Sequence, residues 1–225
     1  MGLYSINTGS PDFSGGLDRS AQSYFSTIVT PETSFDFETQ FIPLPEHLKI
    51  IKVGRFEVFE YMPKEQVMYQ VKRLADALRN IPGEDVINER GGSFLYKGVA
   101  RFNDYKTKPT SIEVHRKKGG FGVEWKIKPP KRLWNKRVKM HDDIIDSGGT
   151  GESAMQFFDP YSIPAYLMTK DGIENQIRLR NQLVAFKIVK RWVGGAGMDL
   201  GIKGEGDTFR NYGGLVINPN ENFSL

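Results

Sequence analysis

Between Asp142 and Thr150 the chain groups carboxylates, hydroxyls and glycines in the order Asp142-Asp143-Ile144-Ile145-Asp146-Ser147-Gly148-Gly149-Thr150. Glycines let the backbone come close to a bound anion, successive N–H groups then point at it, and the Ser147 and Thr150 hydroxyls can donate as well. The adjacent acids would repel a bare phosphate. The pattern therefore suits a ligand that also offers hydroxyls to the carboxylates or brings a divalent cation to offset their charge. A phosphorylated sugar with Mg²⁺ meets both demands. A nucleoside-triphosphate P-loop is rejected, because its signature needs a lysine before the final Ser or Thr and Glu152 stands before Ser153. A buried strand followed by a glycine turn with surface acids would show the same residues with no ligand at all.

The elements that position these groups can be read outward from them. The run beginning at Val138 reads as a strand with the acid pair at its end, and residues 151–158 read as the start of a helix. Lys139 and His141 interrupt the strand's apolar residues. A parallel strand buried on both faces should not alternate in this way, so one face is expected to be wetter or paired with an acidic neighbour. A second strand–glycine–helix passage occurs upstream, from Asp85-Val86-Ile87-Asn88 through Glu89-Arg90-Gly91-Gly92-Ser93 into Phe94–Phe102. Two such turns in one α/β chain suggest two phosphate cradles facing a shared ligand at the carboxyl ends of parallel strands.

Before that second passage, apolar residues recur from Lys49 to Tyr61. Pro63 then opens an amphipathic helix whose Val67, Val71, Leu74 and Leu78 share one face. Residues 110–115 and 121–127 read as a hairpin with a basic, glycine-rich tip. Residues 164–169 and 184–188 read as further strands, and 215–217 form an apolar ending. Residues 1–45 carry Gly15-Gly16, several prolines and scattered aromatics without any lasting period, which describes an arm that wraps a surface or stays flexible. Residues 46–225 are expected to form the catalytic domain.

Composition narrows the class. A chain of 225 residues can bury a full core, and no apolar run approaches the roughly 18 residues a membrane span needs. Cysteine is absent, which excludes disulfides and thiolate catalysis and fits a cytoplasmic setting. The formal net charge of +4 suits anionic substrates, but acids and bases are interspersed, so it gives little support to nucleic-acid binding.

Residues 142–150 resemble, position by position, the 5-phosphoribosyl-1-pyrophosphate (PRPP) motif of the type I phosphoribosyltransferases: two acids, two apolar residues, Asp, Thr or Ser, Gly, any residue, Thr. The glycine turn at Glu89-Arg90-Gly91-Gly92 resembles that family's pyrophosphate loop, with Arg90 where lysine is usual. The hairpin tip around Lys117 and Lys118 resembles its mobile loop. The tail resembles the hypoxanthine-guanine branch. Arg180 stands where a lysine contacts the purine oxygen, Trp192 where an aromatic residue stacks on the base, and Val193 where the backbone meets it. Asp199 matches an acid that serves metal and pyrophosphate, and Arg210 an arginine near pyrophosphate. Lys203-Gly204-Glu205-Gly206-Asp207 is an insertion relative to that pattern.

The resemblance, which covers about residues 50–218, implies an α/β fold with a mostly parallel sheet of about five strands, flanking helices and a small hood. It implies a Mg²⁺-dependent transferase, a homo-oligomer, that joins PRPP to a 6-oxopurine and releases pyrophosphate. Asp142, Asp143, Ser147, Gly148, Gly149 and Thr150 would bind PRPP, and Arg90, Gly91, Lys117, Lys118 and Arg210 pyrophosphate. Asp142, Asp143 and Asp199 would serve the metal, Arg180, Trp192 and Val193 the base, and Asp146 would handle the base's proton. Two alternatives stay open: transfer to another base, or a non-catalytic PRPP-sensing regulator that binds RNA, DNA or a protein.

Overall fold

Apolar runs sort the chain into a large parallel sheet and a small antiparallel one. The computed structural model describes residues 37–89, 91–117, 123–145, 148–172 and 181–219. Arg90, Lys118, Asp146, Ser147 and Arg180, all singled out above, lie outside that set.

In chain order the elements begin with strands β1 (Gln40–Ile42), β2 (Lys49–Val53) and β3 (Phe56–Met62), then helix α1 (Lys64–Leu78), β4 (Glu84–Asn88) and helix α2 (Gly92–Asn103). They continue with β5 (Thr110–Arg116), β6 (Val123–Ile127), β7 (Val138–Ile145), helix α3 (Gly149–Met155), β8 (Ile163–Lys170), β9 (Leu183–Ile188), β10 (Gly194–Gly195) and β11 (Leu215–Ile217). The main sheet has seven strands in the order β1-β9-β8-β7-β4-β5-β6, every pair parallel except β5 with β6. β8, an interior strand next to the central β7, is buried along its whole length, as a strand covered on both faces must be.

The sheet is wider than the expected five strands because it gains two edges. One is the outer strand of the hairpin, β6. The other is β1, from the segment assigned to the arm. Three residues are too few to show a period, and β1 owes its strand geometry to a remote partner, pairing Gln40 with Phe186 and Ile42 with Ile188.

α1 buries Val67, Val71, Leu74 and Leu78 as its spacing predicts, and packs against α2. On the other side, Val86, Ile112, Val138, Met140 and Tyr166 form a cluster with Ala154 and Phe158 from α3 and the turn after it. Fully burying a Val or Met of this kind contributes about 1.5–3 kcal/mol.

The polar residues within β7 do have an acidic neighbour. His141 Nε2 lies 2.8 Å from Asp85 Oδ1, and Lys139 Nζ lies 3.5 Å from the same oxygen. Lys139 also donates to the Tyr105 hydroxyl at 3.1 Å and sits over that ring. Burial pushes the His141 imidazole below its ordinary pKa, against the opposing pull of Asp85. Burial thus favours the neutral imidazole beside that carboxylate.

β10, β11, β3 and β2 form a four-stranded antiparallel sheet from the segments that flank the main one. This is the expected hood. Its core joins Val53 and Val58 to Leu200, Phe209 and Val216, so the loop between β10 and β11 folds onto the hood.

Candidate active site

A parallel sheet leaves its ligands one natural place, the crevice at the carboxyl ends where neighbouring connections diverge. Here that divergence falls between β4 and β7: β5 lies on one side of the pair, β8 and β9 on the other. Asn88 ends β4, and Asp142 and Asp143 stand near the end of β7. A hydrogen bond closes the gap, the Asn88 amide donating to Asp142 Oδ2 at 3.1 Å. The other end of the same amide accepts from Val114 N at 3.2 Å. Asn88, on β4, thus ties the first acid on β7 to β5 as well. Sequence reading passed over this residue, because its role depends on strand order.

The two acids are held from within their own strand as well. Asp143 N donates to Asp142 Oδ1 at 3.0 Å, and Ile144 N donates to Asp143 Oδ1 at 2.7 Å. Even so, burial, followed by the charge of Asp143, raises the Asp142 pKa well above the usual carboxylate range. Burial raises that of Asp143 too, opposed chiefly by the Ile144 N–H and more weakly by Arg210. A buried pair leaning towards protonation is short of positive charge. A cation, or hydroxyls that donate to it, would relieve the shortage.

Asp143 lines two cavities. The first, of about 240 Å³, is walled by Ile144, Lys170, Trp192, Val193, Met198 and Arg210, with Gly197 and Asp199 completing it. The second, of about 210 Å³, is walled by Asn88, Glu89, Gly91, Val114, His115, Asp142 and Thr150. One is largely apolar, with Trp192 as its aromatic wall; the other is polar and touches both glycine turns.

In the first cavity Trp192 is 53% exposed, so it is no core residue. Its indole N–H donates to Leu200 O at 3.0 Å, and Lys170 Nζ stands 5.5 Å from its ring centroid. Lys170, at the end of β8, is a second residue the sequence reading missed. Val193 is buried beside the tryptophan. Arg210 grips Asp199 in a fork, Nε to Oδ1 and Nη2 to Oδ2, so two residues given separate roles form one unit.

The glycines of the first turn also have a packing role. A side chain on Gly91 would collide with the Asp143 carboxylate, and one on Gly92 with the His141 carbonyl. Their absence lets the loop after β4 lie directly against the acids. Gly148 sits at φ +76° before α3, a left-handed conformation that favours glycine, and Gly149 and Thr150 open the helix. Lys117 is exposed past the end of β5 and is not among the described residues lining either cavity. His115, which does line the second, is held by Glu113 at 2.6 Å.

The strand order and directions give a phosphoribosyltransferase-like α/β fold. Among solved structures, the chain is similar to a hypoxanthine phosphoribosyltransferase of Staphylococcus aureus, at 18% identity over 74% of this chain and 94% of that one, with a TM-score of 0.57. It is also similar to a hypoxanthine-guanine phosphoribosyltransferase of Bacillus anthracis, at 20% identity over 76% and 99%, with a TM-score of 0.55. A hypoxanthine phosphoribosyltransferase of Trypanosoma cruzi, solved with its product IMP, gives 16% over 72% and 94%, with a TM-score of 0.56. No protein-family model and no curated protein matches the sequence, so the likeness is one of fold. Among the described residues no helix is long and apolar enough to cross a membrane.

Proposed function

We propose that the chain is a Mg²⁺-dependent purine phosphoribosyltransferase that transfers the 5-phosphoribosyl group of PRPP to hypoxanthine, guanine or xanthine and releases pyrophosphate, a reaction of purine salvage. The observation that carries this reading is the position of Asp143, on the wall shared by an aromatic cavity and a polar, glycine-lined one. A reaction joining a flat base to a phosphorylated sugar needs such a pair of sites meeting at the ribose.

In this reading the base stacks on Trp192 beside Val193, with Arg180 directed to its oxygen. Asp142 and Asp143 accept from the ribose hydroxyls, and Ser147, Gly148, Gly149 and Thr150 surround the 5′-phosphate. Arg90, Gly91, Lys117, Lys118 and Arg210 serve pyrophosphate. A base nitrogen forms the new bond to the anomeric carbon, the bond to pyrophosphate breaks with its electron pair leaving on oxygen, and Asp146 takes the proton the base gives up. Negative charge beside the ribose favours the cationic sugar that forms between bond breaking and bond making.

The residues also fit Mg²⁺. The donors are carboxylate oxygens, and the buried acids lean towards protonation. Mg²⁺ binds through one or two carboxylates and completes its shell with water and substrate phosphates. Asp142, Asp143 and Asp199 are the carboxylates from which those contacts would come, and the ion when bound would supply positive charge to the departing pyrophosphate.

Pyrophosphate release from PRPP, assayed across a panel of free bases, tests the proposal. Release with a 6-oxopurine sustains it. Release with a different base alone moves the chain to another acceptor, and PRPP binding without release for any base replaces the enzyme with a sensor.

A further inference from the structure

The insertion at residues 203–207 is folded back on the site through one carboxylate. Glu205 accepts from two successive backbone amides, Leu200 N to Oε2 at 3.0 Å and Gly201 N to Oε1 at 2.8 Å. One of the peptides it holds is the one that positions the tryptophan: Gly201 N donates to Glu205, while Leu200 O, in the same peptide unit, accepts the Trp192 indole N–H at 3.0 Å. Arg55, in the turn between β2 and β3, anchors the residue before Glu205 by donating to Gly204 O at 2.9 Å. Gly201, beside them, sits at φ +77°, a left-handed conformation that favours glycine.

We propose that Glu205 is a positioning residue for the aromatic cavity: it sets the plane of Trp192 through the Leu200 peptide and thereby tunes affinity for the flat ligand that stacks there. The kinetic part of this inference rests on reading that cavity as the acceptor-base site. A carboxylate accepting from two amides holds a loop more firmly than water does, because both bonds are charge-assisted and share one rigid group. The pyrophosphate side of the same loop has its own supports. Arg210 forks onto Asp199, Gly197 N donates to Arg210 O at 3.2 Å, and Ala196 N donates to Tyr212 O at 2.6 Å. Loosening Glu205 therefore acts on the base side of the ligand and spares the other.

The test labels the full chain with 5-fluorotryptophan, whose ¹⁹F spectrum carries one resonance for each of the three tryptophans. The Trp192 resonance is assigned with Trp192→Phe. Glu205→Ala should shift and broaden that resonance while those of Trp125 and Trp134 stay in place. Glu205→Gln keeps one acceptor oxygen and should fall between Glu205→Ala and wild type. In steady-state assays Glu205→Ala should raise the base KM about three- to tenfold and leave the PRPP KM within about twofold. An unmoved Trp192 resonance in the folded Glu205→Ala or Glu205→Gln protein overturns the proposal, as does an equal rise in both KM values. A moved resonance in a protein whose wild type turns over no base sustains the positioning and overturns only the base reading.

Discussion

The end of β7 and the loop between β10 and β11 both line the aromatic cavity, yet they are organised in opposite ways. At β7 the chemical groups are consecutive, and each acid is held by the N–H of the residue after it. In and beside the hood loop, residues that are not chain neighbours hold one another across turns: Trp192 on Leu200, Arg210 on Asp199, Glu205 on Leu200 and Gly201, and Tyr212 on Glu60 at 2.8 Å. The first arrangement suits an invariant sugar phosphate, whose groups keep fixed distances. The second suits a variable partner, since the cavity wall can be re-aimed by changing a loop.

If the division holds, damage at β7 should strike the reaction and damage in the hood should strike base recognition. The largest effect is expected from Asp146→Asn, which keeps the shape but removes the base. It should lower kcat by about 10² to 10⁴ with little change in PRPP affinity, measured where chemistry limits turnover. A fall of less than about tenfold would reduce Asp146 to a turn-forming residue.

Asp85→Ala probes what supports β7 from below. It would leave the buried Lys139 and His141 without their shared carboxylate, and breaking a buried pair typically costs about 3–5 kcal/mol. Urea denaturation should show a loss of that order. A loss below about 1 kcal/mol would mean that Tyr105 alone satisfies the lysine.

Gly91→Ala should act more locally, because the added methyl must displace the Asp143 carboxylate. The steric cost of such crowding is about 1–3 kcal/mol, and it should appear as a roughly 5- to 100-fold fall in kcat/KM for PRPP. Unchanged kinetics in the folded variant would show that Asp143 can move aside without consequence.

The smallest effect belongs to the hood. Trp192→Ala should raise the base KM by somewhat more than the 0.5–1.5 kcal/mol that an aromatic contact adds beyond burial, or about tenfold, with PRPP binding nearly intact. Equal damage to both substrates would erase the contrast between the two regions.

Several parts of this architecture were legible before any coordinates. The apolar face of α1, the run of β8 and the strand–acid–glycine order at β7 are local patterns, and each is borne out as an element. Lys139 and His141 looked out of place in a buried strand, and they proved to share Asp85. The strand β1 was not legible, since three residues of an irregular segment acquire extended geometry only by pairing with β9. Asn88, Lys170, His115 and Glu205 escaped notice for a related reason: none lies in a local motif, and each matters through what stands beside it in space.

The sequence by itself determined that two acids would stand near the end of a buried strand, immediately before a glycine turn and a helix start, because dihedral preferences and strand periodicity act over a few residues. Only the tertiary structure decided that the strand would lie beside β4, that Asn88 would reach across to Asp142, and that Asp143 would wall two cavities at once. Those distances follow from the order in which strands join the sheet and from the hood loop standing against the ends of β7 and β8. Both depend on burying surfaces remote in the chain, and no local spacing of residues encodes them.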